Sequence, residues 1–153
     1  MPKDHPSRSD PALKPFILAF LFAVVGYAVF YDAIEHRRVR NGPWQVTFTN
    51  SFSGPPAIII NQPALGIAGV QVIFPGKSLP PGESLATLDF RQPRPVPYNV
   101  PFGKCVFMDT TFLPGTVSFV LFGHEIELLP RVLVIDRQEH AWKSGSAIRV
   151  GEE

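Results

Sequence analysis

The sequence predicts an N-terminal single transmembrane α-helix followed by a mainly-β domain, an antiparallel β-sandwich or small barrel of about nine strands. Three observations predict it. A long apolar run without charge stands near the start. Period-two alternation of apolar and polar residues fills most of the remainder, and Gly and Pro clusters separate the alternating runs.

The apolar run is Pro15–Ile34, with no charged side chain between Lys14 and Asp32. About 20 helical residues at ~1.5 Å each reach ~30 Å, the thickness of a bilayer's hydrocarbon core. Pro15 suits a first helical turn, where its missing N–H has no partner to lose. Tyr27 and Tyr31 fit the interfacial belt, where an apolar ring with a polar tip is comfortable. A cleaved signal peptide needs a shorter apolar core and a small-x-small site. The nearest match, Gly26-Tyr27-Ala28, lies inside the run, so the anchor is expected to stay attached. The run is apolar on all faces, which argues against the half-buried helix of a soluble core.

Before the span stand Lys3, Arg8 and Lys14; after it stand Arg37, Arg38 and Arg40. The positive-inside count is therefore tied. The N-terminal amine tips the expectation toward a cytoplasmic N-terminus and an extracytoplasmic C-terminal domain. Residues 1–14 form a polar tail with the composition of a disordered segment. Residues 15–40 are the span and its juxtamembrane extension, stopped at Asn41-Gly42-Pro43, where a left-handed cap precedes a residue that cannot continue a helix. His36, Arg37, Arg38 and Arg40 complement the helix dipole, and the three arginines are candidates for contact with lipid headgroups or a partner.

Residues 41–153 suffice for one small core. Trp44, Val46 and Phe48 alternate with polar neighbours, as do Val70, Val72 and Phe74, and Ala86, Leu88 and Phe90. Further strand-like runs are 57–60, 105–108, 116–122, 125–129, 131–135 and 146–150, with a short one around 140–142. Between them lie Ser53-Gly54-Pro55-Pro56, Pro80-Pro81-Gly82 and Pro114-Gly115. Phe122-Gly123-His124-Glu125 reads as a two-residue hairpin turn of type II′, with Gly supplying the positive φ, and a second turn is expected at Asp136–Glu139. Arg91–Pro101 carries four prolines, which cannot donate to a ladder, so it reads as an extended loop or edge.

The chemistry-bearing motifs are sparse. Gly82-Glu83-Ser84-Leu85 is not a nucleophile elbow, and no glycine-rich phosphate loop stands in the chain. Cys105 is the single cysteine, so it forms no internal disulfide, lacks the companions a zinc site needs, and reads as a small buried hydrophobe. No metal or cofactor is expected. From residue 41 onward Lys and Arg number 8 against 9 Asp and Glu, so nucleic acid is not the expected partner. The best polar cluster is His124, Glu125 and Glu127 with Asp136, Glu139 and His140. Glu125 and Glu127 share a face and read most simply as the solvated side of a strand whose other side carries Ile126 and Leu128. Trp44 is in phase with the core, leaving Trp142 and Tyr98 as the aromatic candidates for a ligand.

Asn41–Gly76 carries no Asp, Glu, Lys, Arg or His over thirty-six residues. Exposed sheets normally carry charge that discourages association. An uncharged stretch directly after a membrane helix suggests a surface covered by lipid, a second copy or other subunits. The expected function is a non-catalytic binding and assembly subunit. A module for envelope glycan, resting on Tyr98 and Trp142, is the alternative; a hydrolase built on the acidic and histidine cluster is third.

Overall fold

A computed structural model of the chain describes residues 13–50, 54–79 and 86–151. The polar tail, apart from residues 13 and 14, lies outside the described residues, as do the Pro80-Pro81-Gly82 turn and the Gly82–Leu85 segment. The chain divides into two compact units, Met1–Arg37 and Arg38–Glu153.

Helix α1 runs Leu13–Val39, 27 residues or about 40 Å, and none of its residues is buried. It starts two residues before Pro15, which still falls within the first turn, where no N–H is required. Apolar residues surround it on every side, as a lipid-facing helix requires. It is one helix long and apolar enough to cross a membrane. The predicted stop holds: Gly42 takes φ +70°, and its N–H reaches the Val39 carbonyl at 3.0 Å.

The strands, in chain order, are β1 Gln45–Asn50, β2 Pro56–Gln62, β3 Ile67–Ile73, β4 Thr87–Asp89, β5 Tyr98–Val100, β6 Gly103–Asp109, β7 Thr116–Leu121, β8 His124–Leu128, β9 Val132–Ile135, β10 Gln138–Ala141 and β11 Ala147–Arg149. They form two sheets, β11-β3-β2-β1-β4 and β10-β9-β8-β7-β6-β5. Every pairing is antiparallel except β11 with β3. Eleven strands among the described residues exceed the expected nine or so, partly because Tyr98–Val100 emerges from the proline-rich segment as an edge strand. That position suits it, since an edge tolerates neighbours that cannot donate.

One core lies between the sheets. Val46, Phe48, Ile58, Ile60, Val70, Val72 and Phe74 face Val117, Phe119, Leu121, Ile126, Leu128, Leu133 and Ile135, all buried. Phe48 meets Phe119 edge to face at 6.4 Å, and Phe90 meets Phe119 at 5.3 Å. Trp44 is fully buried as expected and donates its indole N–H to the Gly115 carbonyl at 3.0 Å.

The β7–β8 hairpin corrects the expected turn. Leu121 pairs with His124, so the central residues are Phe122 and Gly123. Both have positive φ, +50° and +88°, which is type I′ rather than II′, and His124 belongs to the strand. A left-handed Phe is uncommon. Here the ring of Phe122 stacks on Phe102 at 5.3 Å and packs on Phe74 at 5.2 Å, so burial of aromatic surface offsets the backbone cost. The β9–β10 hairpin turns through Asp136 and Arg137, also both at positive φ, inside the expected segment.

Candidate functional site

The uncharged segment builds the middle of the five-stranded sheet. Registers Thr47 with Ile59, Thr49 with Ala57 and Ile59 with Gln71 put alternate residues of β1, β2 and β3 on the face turned away from the core. Along that outer face lie Gln45, Thr47, Thr49, Ala57, Ile59, Asn61, Gln71 and Ile73, none of them charged; Ala57 is buried, and Ile59 and Ile73 are half-buried. Among the described residues of this sheet, charge enters on the flanking strands, with Asp89 on β4 and Arg149 on β11. Thr49, Ala57, Gln71 and Ile73, with Gly54 and Pro55, outline a shallow depression of about 220 Å³ on this face.

The six-stranded sheet divides the acidic and histidine cluster between its two sides. Glu125, Glu127 and Glu139 lie on the outer face, while Ile126 and Leu128, which alternate with the two β8 glutamates, are buried, as the alternation predicted. His124 and Asp136 meet at the β8 rim, where the His124 Nδ1 donates to Asp136 Oδ2 at 2.7 Å. The other Asp136 oxygen accepts the Glu125 N–H at 3.0 Å. Partial burial pushes the Asp136 carboxyl up, but these two hydrogen bonds and the His124 charge outweigh it and hold the group below its ordinary value. His140 lines a different cleft with Asp136, Gln138 and Arg149. Among the described residues no group of three or more His, Cys, Asp or Glu is arranged to hold a metal.

Tyr98 and Trp142 do not come together. Tyr98 lies on edge strand β5 and Trp142 just past β10 at the opposite edge, five strand spacings or about 24 Å across the sheet. Both rings are half-buried. Trp142 tilts onto Trp44 at 5.2 Å and gives its N–H to the Leu129 carbonyl at 2.9 Å. Tyr98 pairs across the ladder with Cys105 and carries the Arg94 guanidinium over its ring at 5.6 Å. Burial, then the bond to Cys105, pushes its hydroxyl well above the ordinary value. Cys105 is fully buried; burial raises its thiol although the bonds to Tyr98 and the Phe107 carbonyl act the other way. An inert small hydrophobe fits that environment.

Of the three juxtamembrane arginines, Arg37 belongs to the first unit, and Arg38 and Arg40 to the second. Arg38 is one wall of an open cleft of about 520 Å³ that also takes in Arg91, Pro93, Phe107, Met108, Asp109, Thr110 and Thr111. The Leu113 N–H bonds the Arg38 carbonyl at 2.7 Å, tying the Thr110–Pro114 loop to this point of the chain. Asp109 is occupied by its own turn: its Oδ1 accepts the Thr111 N–H at 2.9 Å, and bonds to the Thr111 backbone and side chain hold the carboxyl low. Sequence reasoning missed Arg91, Phe107 and this loop, because residues some fifty to seventy apart meet only through the sheet.

It also missed Gln62, the largest fully buried polar side chain among the described residues. Its Nε2 donates to the Gly42 and Pro43 carbonyls at 3.0 and 3.1 Å, and its Oε1 accepts the Ala64 N–H at 3.0 Å. A buried amide with its bonds filled pins the segment leaving the helix against the sheet. Its position at the end of an apolar run was the available signal.

Comparison with known protein families, with curated proteins and with solved structures finds no match for this chain.

Proposed function

We propose that the chain is a single-pass membrane protein whose β-sandwich acts as a non-catalytic binding and assembly subunit. It packs through the outer face of the five-stranded sheet on a second copy or on other subunits of a membrane complex. The observation that carries this reading is the outer face of β1, β2 and β3, where eight side chains include Ile59 and Ile73 and none is charged. A sheet face left in water usually carries charge; one meant to be covered does not need it. The helix supplies attachment, and a cytoplasmic N-terminus with an extracytoplasmic domain is the topology toward which the N-terminal amine tips a tied charge count.

Native mass spectrometry after extraction in mild detergent tests the reading. The expected result is a homo-oligomer or a co-purifying partner in the wild type and its loss in Ile59→Glu. Circular dichroism should find the variant folded, because Ile59 points away from the core. A strictly monomeric wild type with no partner overturns the proposal.

A further inference from the structure

The cleft beside Arg38 is lined by two arginines, Arg38 and Arg91, together with Thr110 and Thr111 and the apolar residues Pro93, Phe107 and Met108. Two cationic side chains, the Thr110 hydroxyl and an apolar wall suit a phosphate attached to a hydrocarbon-bearing molecule. One carboxylate, Asp109, also lines the cleft; its Oδ1 accepts the Thr111 N–H at 2.9 Å, and the two arginines outnumber its charge.

Covalent continuity fixes where such a ligand would come from. Arg38 stands seven residues past Tyr31, the last residue of the uncharged run, about 10 Å of helical rise beyond it. The headgroup layer of a bilayer extends ~5–8 Å beyond the hydrocarbon on each side, and an arginine side chain reaches several Å back toward it. Phe112 gives a second, independent sign. It is 61% exposed, more than any other large apolar side chain described outside the helix, and Phe107 follows at 50%. Phe112 immediately precedes Leu113, whose N–H is bonded to Arg38. An exposed ring in water is unfavourable; at the membrane interface it is buried.

We propose that this cleft binds the phosphate of an anionic membrane-lipid headgroup, held by Arg38 and Arg91, with Phe112 seated in the interfacial layer. The proposal rests on the membrane span of the preceding reading and is independent of the assembly face.

The test uses the full-length chain in mild detergent, titrated with phosphatidylglycerol, phosphatidylcholine or inorganic phosphate and read by native mass spectrometry. Phosphatidylglycerol is expected to bind about tenfold more tightly than phosphatidylcholine, with Arg38→Gln and Arg91→Gln each removing most of that preference. Arg131→Gln, an equal loss of charge outside the cleft, should keep it. Inorganic phosphate binding as tightly as phosphatidylglycerol would overturn the lipid assignment in favour of a free anion. No preference in the wild type, or a preference unchanged in Arg91→Gln, would overturn the site itself. Carbonate extraction of membranes reads the span separately: release of the wild type would refute the anchor, a failure distinct from loss of lipid preference.

Discussion

The two sheets of the sandwich share one interior and differ on the outside. On the inner side Phe48 of β1 and Phe90, just past β4, meet Phe119 of the other sheet, and β1, β2, β3, β7, β8 and β9 contribute aliphatic residues to the same cluster. On the outer faces the central strands of the five-stranded sheet carry Thr, Gln, Asn, Ala and Ile. The six-stranded sheet carries Asp109, Glu125, Glu127 and Glu139, with Lys104 beside them. Core packing constrains inner faces alike whatever the function. Outer faces are free to record what each one meets, so the difference between them is where function is legible. The six-stranded sheet carries the charges that a face left in water usually has; the central strands of the five-stranded sheet carry none.

The largest effect should come from the shared interior. Phe119→Ala removes a fully buried ring that touches both sheets and should lower unfolding stability by ~3–5 kcal/mol in urea titration. If the interior is one core, amide protons of β2 and of β8 lose protection together. A variant in which only the six-stranded sheet exchanges faster would break the comparison, because the sheets would then be separate folding units.

Much of this architecture was legible in the sequence, and the reasons are local. Alternation at 44–48, 70–74 and 125–129 named the inner faces correctly because a strand's side-chain period is two wherever one face is buried. The helix and its stop at Gly42 were equally legible, being set by composition and one backbone angle. The β7–β8 turn was misread by one residue because the stacking partners that hold Phe122 in the left-handed region, Phe102 and Phe74, lie about twenty and fifty residues away. Parallel pairing of β11 with β3 was invisible for the same reason: it joins Ile148 to Val72 with no local signal. At the candidate sites, the uncharged face was readable as a stretch of sequence. The cleft was not, because only Arg38 of its two cations belongs to a recognisable cluster.

Glycines give a middle-sized contrast between the sheets. In the six-stranded sheet, a Cβ on Gly103 would sit 2.0 Å from the Val120 carbonyl oxygen, a backbone atom with nowhere to go. In the five-stranded sheet, Gly69 has open space around it and is held only by φ +63°. Gly103→Ala should therefore cost about 2–3 kcal/mol, through displacement of the β6–β7 ladder. Gly69→Ala should cost about 1 kcal/mol, from the left-handed backbone alone. Thermal unfolding of both variants in one buffer ranks them; the reverse order would mean that β6 and β7 can slide apart more easily than β3 can change its backbone angle.

The smallest effect belongs to the His124–Asp136 pair on the six-stranded sheet. The Asp136 carboxyl is depressed in the folded state, so its charged form is favoured by folding. A depressed group contributes stability that is fully present above its unfolded value of about 4 and is lost as pH falls through the lower folded value. With the Asp136 side chain 46% exposed, solvent screening limits that contribution to about 0.5 kcal/mol or less. Urea unfolding at pH 5 and pH 3 should find the wild type losing that increment on acidification. Asp136→Asn keeps an oxygen for the Glu125 N–H and has no carboxyl to protonate, so its own loss between the two pH values should be smaller by the same amount. Equal acid sensitivity in the two proteins would mean that the bonds from His124 and Glu125 do not favour the charged carboxylate. The acid response of the six-stranded sheet would then have to come from the carboxylates spread over its outer face.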